Sequence, residues 1–142
     1  PSYATASSSG NIYWSNTSSA TNSTSYGGTY SVGDIVSIYL DLDNAKFYVA
    51  VNDVMQNSGT GYSIETGDFF IPMISSYTDG TGNECNFGNG CFGNTAVTSA
   101  VADVNGYGLF EYDPSRGGAS DFDGSAKDFL AVCTKNLGSD GG

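Results

Sequence analysis

The sequence contains no histidine, and this absence removes the most common general base of enzymes. Its 142 residues include 15 Asp and Glu but no His, so Ser–His–Asp triads are unavailable. Paired carboxylates are the remaining acid–base candidates, namely Asp41 with Asp43 and Glu65 with Asp68. The first pair shares the outer face of a predicted strand, and the second lies in a loop beside Gly67. We interpret both pairs as solvated groups and predict that the chain is not an enzyme.

Basic residues are almost as scarce. Four Lys and Arg stand against 15 acidic residues, which gives a net charge of −11. Nucleic-acid phosphates need Lys and Arg to displace their counterions, and anionic membrane surfaces also attract basic segments. No apolar run approaches the roughly 20 residues that span a bilayer. We therefore predict no nucleic-acid partner and no membrane insertion.

The first ten residues, PSYATASSSG, lack the basic segment and apolar core of a signal peptide. We interpret residues 1–10 as a linker or lead-in from a longer chain. A length of 142 residues suits one domain, so residues 11–142 are predicted to form it.

Cysteines are few and odd in number. There are three, with no CxxC spacing that indicates zinc. Cys85 and Cys91 are close enough in sequence to bridge a loop, whereas Cys133 lies in an apolar run. Three free thiols are the favoured interpretation, and a Cys85–Cys91 disulfide is the alternative.

Aromatic residues, glycine and short alternating segments are what the sequence does contain. The stretch Gly33 to Asn52 reads as a β-hairpin, in which Val36, Ile38, Leu40, Phe47 and Val49 are predicted to form a buried face. Residues 15–28 are polar and of low complexity, so we predict a loop there. The other predicted strands are Asn11–Trp14, Phe69–Ser76, Glu84–Phe87, Phe110–Tyr112 and Phe129–Cys133. Together these segments predict an all-β, antiparallel β-sandwich.

Several segments carry a family resemblance. The run GDIV…LDLDN from Gly33, the NFG at Asn86, the NGYG at Asn105 and LAVCTKNL from Leu130 together resemble the SPRY-domain family. The last two segments, with Tyr112–Ser115, resemble the subset found in structural proteins of tailed bacteriophages, notably marine ones. Ala45 and Asp53 stand where that family usually has glycine. The resemblance implies a SPRY/concanavalin-like sandwich that lacks its N-terminal strands in this chain.

The resemblance also implies a binding role at the virion exterior, on a fibre, tail or capsid surface. The partners would be other virion proteins, copies of this chain, or a glycan or protein of the host cell surface. A lectin-like carbohydrate-binding module, possibly attached to a depolymerase, is the alternative. Aromatic side chains with polar tips suit either role, and the candidate ligand-binding residues are Trp14, Tyr26, Tyr62 and Tyr107.

An acidic loop suggests a cation site. Residues 116–128 extend the chain relative to the resembling proteins, with the pattern Asp121-x-Asp123-Gly124-Ser125-x-x-Asp128. Calcium takes 6–8 oxygen ligands, so Asp121, Asp123, Ser125 and Asp128 are the candidate Ca²⁺ ligands. The favoured alternative is a solvated loop whose Asp and Gly residues simply form turns.

Overall fold

The computed structural model of the chain describes residues 2–15, 22–65, 67, 70–75, 82–115, 121–125 and 127–136. The all-β prediction is confirmed: 31% of the described residues are in strands, every strand pair among them is antiparallel, and this part of the chain contains no α-helix. Thr134–Asn136 forms a short 3-10 turn, and Gln56–Gly59 forms a turn in which Asn57 and Ser58 adopt left-handed φ values of 51° and 52°. Among the described residues, no helix has both the length and the hydrophobicity that a membrane span requires.

Among the described residues, nine strands form three small sheets. The first sheet has the order β1-β2-β3; in the second, β5 pairs with β4, β6 and β7; the third contains β8 and β9. The strands are β1 Ser2–Thr5, β2 Asn11–Ser15, β3 Asn22–Ser25, β4 Val36–Asp41, β5 Lys46–Val51, β6 Val54–Met55, β7 Tyr62–Ser63, β8 Cys91–Phe92 and β9 Thr95–Ala96.

The chain divides into two compact units, where its length alone predicts one domain. Unit 1 comprises residues 1–68 and 118–126, and unit 2 comprises residues 69–117 and 127–142. Nine of the ten buried hydrophobic side chains found among the described residues belong to unit 1. Unit 1 therefore has a conventional hydrophobic core, and unit 2 depends more on polar contacts.

Two strands of the first sheet lie where the sequence predicts none. Ser2–Thr5 falls in the predicted linker, yet it pairs with β2 so that Tyr3 lies opposite Trp14. Asn22–Ser25 falls in the predicted polar loop, yet it pairs with the other edge of β2. Strand ladders are made by backbone groups, so an exposed strand can form from polar residues without any hydrophobic alternation.

The predicted hairpin of β4 and β5 is confirmed, but the assignment of its buried face is partly wrong. Ile38 pairs with Val49 and Tyr39 pairs with Tyr48. Ile38, predicted to be buried, is 51% exposed, whereas Tyr39 on the opposite face is only 5% exposed. The cause is tertiary packing, because the ring of Tyr39 is covered by Phe122. Strand β5, by contrast, is paired on both sides and buried on both faces.

The face of the hairpin opposite the predicted one is covered by a segment distant in sequence. Phe122 is completely buried, and its ring packs edge-on against the rings of Tyr39 and Tyr48, with centroid distances of 5.1 Å in both cases. Edge-to-face contacts at this distance are favourable beyond simple burial. The loop of residues 121–125 thus completes the core of unit 1.

Most strands predicted in unit 2 do not form. Phe70–Ser75, Glu84–Phe87 and Phe129–Cys133 have no strand pairing, and Phe69 and Ser76 lie outside the described residues. Cys85 and Phe87, which alternate with Asn86 in the predicted strand Glu84–Phe87, are exposed, as is the apolar run around Pro72. Proline has no N–H to donate to a ladder, which weakens a strand at that point. Phe110 makes only an isolated bridge to Val101.

In unit 2, the buried carboxylate of Asp103 connects segments that no strand pairing joins. One oxygen of Asp103 accepts hydrogen bonds from the backbone N–H groups of Asn105 and Tyr107, at 3.0 and 2.8 Å. The other oxygen accepts from the N–H of Ala131 at 2.9 Å and from the Asn136 side-chain amide at 2.6 Å. Asp103 therefore ties the turn that follows it to the segment around Ala131.

Candidate functional site

Three aromatic side chains come together in unit 1. The pairing of β1 with β2 places Tyr3 directly opposite Trp14, and Tyr62 of β7 completes the group. The Tyr62 ring centroid lies 5.5 Å from that of Trp14 and 6.2 Å from that of Tyr3, with both ring pairs tilted. All three side chains are partly exposed. We call Tyr3, Trp14 and Tyr62 the aromatic cluster.

The polar tips of the aromatic cluster are held in defined states. The Tyr3 hydroxyl accepts a hydrogen bond from the backbone N–H of Glu65 at 2.9 Å. Burial, with a smaller contribution from the nearby Tyr3, raises the pKa of Tyr62 above its ordinary value. Such a group offers ring surface and hydroxyl groups, which suits binding rather than proton transfer.

The structure separates the four predicted ligand-binding aromatics. Trp14 and Tyr62 belong to the aromatic cluster, and Tyr107 lies in unit 2. Tyr26 is a core residue: it is buried, its hydroxyl donates to the carbonyl oxygen of Thr60 at 2.9 Å, and burial raises its pKa to about 12. The structure therefore places Tyr26 inside the fold rather than beside Trp14 and Tyr62, and its role in ligand binding stays a prediction.

Tyr107 lines an open cavity in unit 2. Its volume is about 650 Å³, within the usual range for ligand sites. The ammonium of Lys135 lies 5.4 Å from the centroid of the Tyr107 ring, within the range of a cation–π contact. The other lining residues are Cys85, Phe87, Gly88, Asn89, Gly106, Gly108, Leu109 and Cys133.

All three cysteines are free in the structure. Cys91 is partly buried, and its sulfur lies 3.2 Å from the side-chain amide nitrogen of Asn89. Of the two interpretations drawn from the sequence, the structure has the free thiols and not the Cys85–Cys91 bridge. Cys85 and Cys133 instead share the walls of the unit 2 cavity.

The candidate calcium ligands have other contacts. One carboxylate oxygen of Asp123 accepts from the Tyr48 hydroxyl at 2.9 Å and the other from the Gly61 N–H at 3.2 Å. Asp121 uses its backbone carbonyl to accept from the N–H of Ser125 in a tight turn, and Asp128 is exposed in unit 2. Within the described residues, no group of three or more potential metal-ligating side chains occurs. The calcium site stays a prediction.

The carboxylate pairs considered for catalysis are placed only in part. Asp41 accepts hydrogen bonds from both the backbone and the side-chain amide of Asn44, so it shapes the hairpin turn. Asp43 and Glu65 are exposed, and Asp68 lies outside the described residues. The described members therefore fit the interpretation as solvated or turn-forming groups.

Three residues of these sites were not found from the sequence. Tyr3 was hidden by the linker-like composition around it, and Lys135, although it lies in the LAVCTKNL segment, was not singled out as a binding residue. Asp103 was recoverable in principle, because Asp103-Val-Asn-Gly106 is a sequence in which an Asp side chain accepts from the backbone two residues later. Its bonds to the distant Ala131 and Asn136 leave no local signal.

Comparison of the chain with protein-family models, with curated proteins and with solved structures finds no match.

Proposed function

We propose that the chain is a non-enzymatic adhesion module on the exterior of a bacteriophage virion, built on a SPRY-like all-β fold. In this role it contacts the host cell surface or neighbouring virion subunits, including copies of itself. The virion location is supported by the resemblance of the NGYG, YDPS and LAVCTKNL segments to phage structural proteins.

The observation that carries the binding role is the aromatic cluster. Tyr3, Trp14 and Tyr62 offer ring surface that is only partly covered. Tyr3 and Trp14 lie in a sheet whose other residues are mainly Ser, Thr and Asn, and Tyr62 belongs to the second sheet. Aromatic rings supply large contact area at low conformational cost, and they dominate protein-binding surfaces. A net charge of −11 disfavours nucleic acid as the partner.

Carbohydrate recognition is the second candidate, and the same cluster favours it. Trp14 and Tyr62 are tilted by 43° with their centroids 5.5 Å apart, so the two rings present differently oriented faces. Sugar rings carry apolar C–H faces and polar rims, which match aromatic faces beside hydroxyl groups. A lectin-like module on the exterior of a virion would combine the adhesion role with carbohydrate recognition.

The test is binding of the labelled chain to a panel of marine bacterial strains and to a glycan array. We expect Trp14→Ala to reduce binding at least tenfold, which corresponds to about 1.4 kcal/mol, since hot-spot aromatics commonly contribute more than this. Trp14→Phe keeps a ring and should retain most of the binding.

Tyr112→Ala is the matched control, because Tyr112 is a partly buried aromatic residue of unit 2 outside both sites. Circular dichroism of each variant separates lost binding from lost folding. Equal binding by wild type and a folded Trp14→Ala variant, or no binding of the wild type to any strain or glycan, would overturn the proposal.

A further inference from the structure

The unit 2 cavity contains an unusual charge for this chain. Lys135 is one of only four basic residues in a sequence with a net charge of −11, and it lines the cavity wall. Its ammonium is held over the Tyr107 ring at 5.4 Å. Among the residues that the structure describes, no carboxylate pairs with this ammonium. An ammonium carries three hydrogen-bond donors, and a ring face leaves them available to an anionic ligand.

The remaining cavity wall is apolar and accessible. Phe87, Tyr107 and Leu109 are each more than a third exposed although their side chains line a concave surface. Exposed apolar side chains gathered in a concavity are typical of a ligand site. The Asn89 side chain adds an amide group to the same wall.

Glycines keep the cavity open. A Cβ at Gly106 would meet nothing within 4 Å, so this part of the wall faces open space. A Cβ at Gly88 would lie 2.9 Å from the Cα of Gly108, so these two lining residues approach each other closely through their backbones. Glycine at these positions lets the backbone form part of the wall between the lining side chains.

We propose that this cavity binds a carboxylated sugar unit, such as a uronic acid of a surface polysaccharide. The carboxylate pairs with the Lys135 ammonium, and the C–H face of the sugar ring packs on Phe87 and Leu109. The amide of Asn89 hydrogen-bonds a ring hydroxyl. This assignment rests on the proposed adhesion function and deepens it, because it names the chemical class that a second site on the chain recognises.

The charges favour an acidic sugar over a strongly anionic chain such as an acidic peptide. One cation lines the cavity, and the chain as a whole is acidic, so a peptide with carboxylates on adjacent residues is repelled more than a sugar chain whose carboxylates are separated by uncharged rings. A uronic acid places one carboxylate beside an uncharged ring, which matches one ammonium beside apolar side chains. A neutral sugar would leave the Lys135 ammonium without an anionic partner, so its affinity for the cavity would be lower than that of a uronic acid.

The experiment compares three probes on the whole chain by NMR chemical-shift titration. The probes are a glucuronic acid oligomer, the matched glucose oligomer and a glutamate-rich peptide. We expect the glucuronic acid oligomer to shift the backbone amides of Asn89, Tyr107 and Lys135, with an affinity at least about tenfold higher than that of the glucose oligomer, as a charge-assisted hydrogen bond provides.

Variants locate the interaction. Lys135→Gln should lower the affinity for the glucuronic acid oligomer to that of the glucose oligomer, and Lys135→Arg should restore most of it. Lys127→Gln is the matched control, because Lys127 is a cation of unit 2 that does not line the cavity. Phe87→Ala should lower the affinity for both sugar oligomers to the same extent, because it removes ring surface but no charge.

The outcomes separate this inference from the proposed function. If the chain binds cells through Trp14 but the glucuronic acid oligomer shifts no cavity amide, the cavity assignment is overturned and the adhesion role stands. If the oligomer binds at the cavity with the Lys135 dependence while no cell, virion protein or array glycan is bound, the adhesion role falls and the cavity assignment stands. Stronger binding of the glutamate-rich peptide would also overturn the sugar assignment.

Discussion

The hydroxyl group of Tyr48, in the middle of β5, donates a hydrogen bond to the carboxylate of Asp123, 75 residues later, at 2.9 Å. The backbone N–H of Asp123 in turn donates to the carbonyl oxygen of Gly59 at 2.8 Å, and Phe122 beside it is completely buried. Residues 121–125 are thus held to the hairpin through the Asp123 side chain and the Phe122 ring, and to Gly59 through the backbone. Although Asp123, Gly124 and Ser125 are exposed, this segment contributes to the core of unit 1.

Replacing Phe122 with alanine should therefore destabilise unit 1 strongly. The change leaves a cavity against Tyr39 and Tyr48, and deletions of buried aromatic rings cost about 3–5 kcal/mol. Urea unfolding monitored by tyrosine fluorescence measures the loss. Val32→Ala, at an almost fully exposed position, should change the free energy of unfolding by less than about 0.5 kcal/mol. A loss below about 1 kcal/mol for Phe122→Ala would show that the loop is not part of the core.

The sequence predicted the hairpin because alternation is a local property, but it could not predict which face of β4 is buried. Tyr39 and Ile38 are both large and mainly apolar, and the choice between them depends on Phe122, which arrives from a distant segment. Strand β3 was missed for the opposite reason, since its Asn and Ser residues have no hydrophobic pattern. The apolar run at Phe70–Ser75 shows that hydrophobicity without a pairing partner does not make a strand.

The sequence indicated individual residues of the candidate sites, but not which of them lie together in the fold. Aromatic character singled out Trp14 and Tyr62, but their contact is created by the pairing of β7 with β5 and by the approach of the first sheet. Tyr26 is an aromatic residue like Trp14 and Tyr62, yet its hydroxyl donates a hydrogen bond to the carbonyl oxygen of Thr60 inside the fold. Whether a tyrosine lies in a core or at a surface is decided by tertiary contacts that no local window contains.

The two members of one cross-strand pair should respond differently to the same substitution. Ile38 and Val49 lie opposite each other, but Ile38 is half exposed whereas Val49 is 2% exposed. Ile38→Asp should cost roughly 1 kcal/mol or less, because the carboxylate can reach water. Val49→Asp should cost several kcal/mol or prevent folding, because it buries an unpaired charge. Thermal and urea unfolding of both variants test this; equal losses would contradict the assignment of β4 as an edge strand.

A glycine substitution in the hairpin turn should stabilise the chain. Ala45 adopts a φ of 55°, in the left-handed region that costs residues other than glycine about 1–2 kcal/mol. Ala45→Gly removes this strain, but glycine loses more conformational entropy than alanine on folding, which offsets part of the gain. We therefore expect the free energy of unfolding to rise by about 0.5–1 kcal/mol. Ala50→Gly is the control, because Ala50 is a buried residue of the central strand β5, and glycine there should destabilise. A loss of stability with Ala45→Gly would contradict the turn geometry.

The stability of unit 2 should depend on pH through Asp103. Burial on its own raises the pKa of this carboxyl, but the hydrogen bonds from Ala131, Tyr107, Asn136 and Asn105 outweigh it and lower the pKa below its ordinary value. A lowered pKa in the folded state means that the ionised carboxylate stabilises the fold above the unfolded value of about 3.9. This contribution is lost as the pH falls through the folded pKa.

Asp103→Asn should remove that pH dependence and destabilise unit 2 at neutral pH by roughly 2–4 kcal/mol, because an amide nitrogen replaces one accepting oxygen. Hydrogen exchange of the Tyr107 and Ala131 amides, measured from neutral pH to about pH 3, reports the effect locally. Asp34 and Glu111 also have lowered pKa values, through the side chains of Asn52 and Thr98 respectively, so the difference between wild type and variant isolates Asp103. An unchanged exchange rate in the variant would contradict the role of Asp103.

Calcium binding at the acidic loop can be tested through the same Tyr48–Asp123 contact. The hydroxyl of Tyr48 and the N–H of Gly61 occupy both oxygens of Asp123, so a cation has to compete with two hydrogen bonds. We expect calcium to protect the amides of residues 121–125 in hydrogen exchange only weakly in the wild type. Tyr48→Phe frees one oxygen, and we expect it to increase calcium affinity by about tenfold, the equivalent of one hydrogen bond. Asp123→Asn should abolish the gain in the double variant. Exchange rates that are identical with calcium and with excess chelator in both wild type and Tyr48→Phe would exclude calcium at this loop and leave Asp123 with its structural role alone.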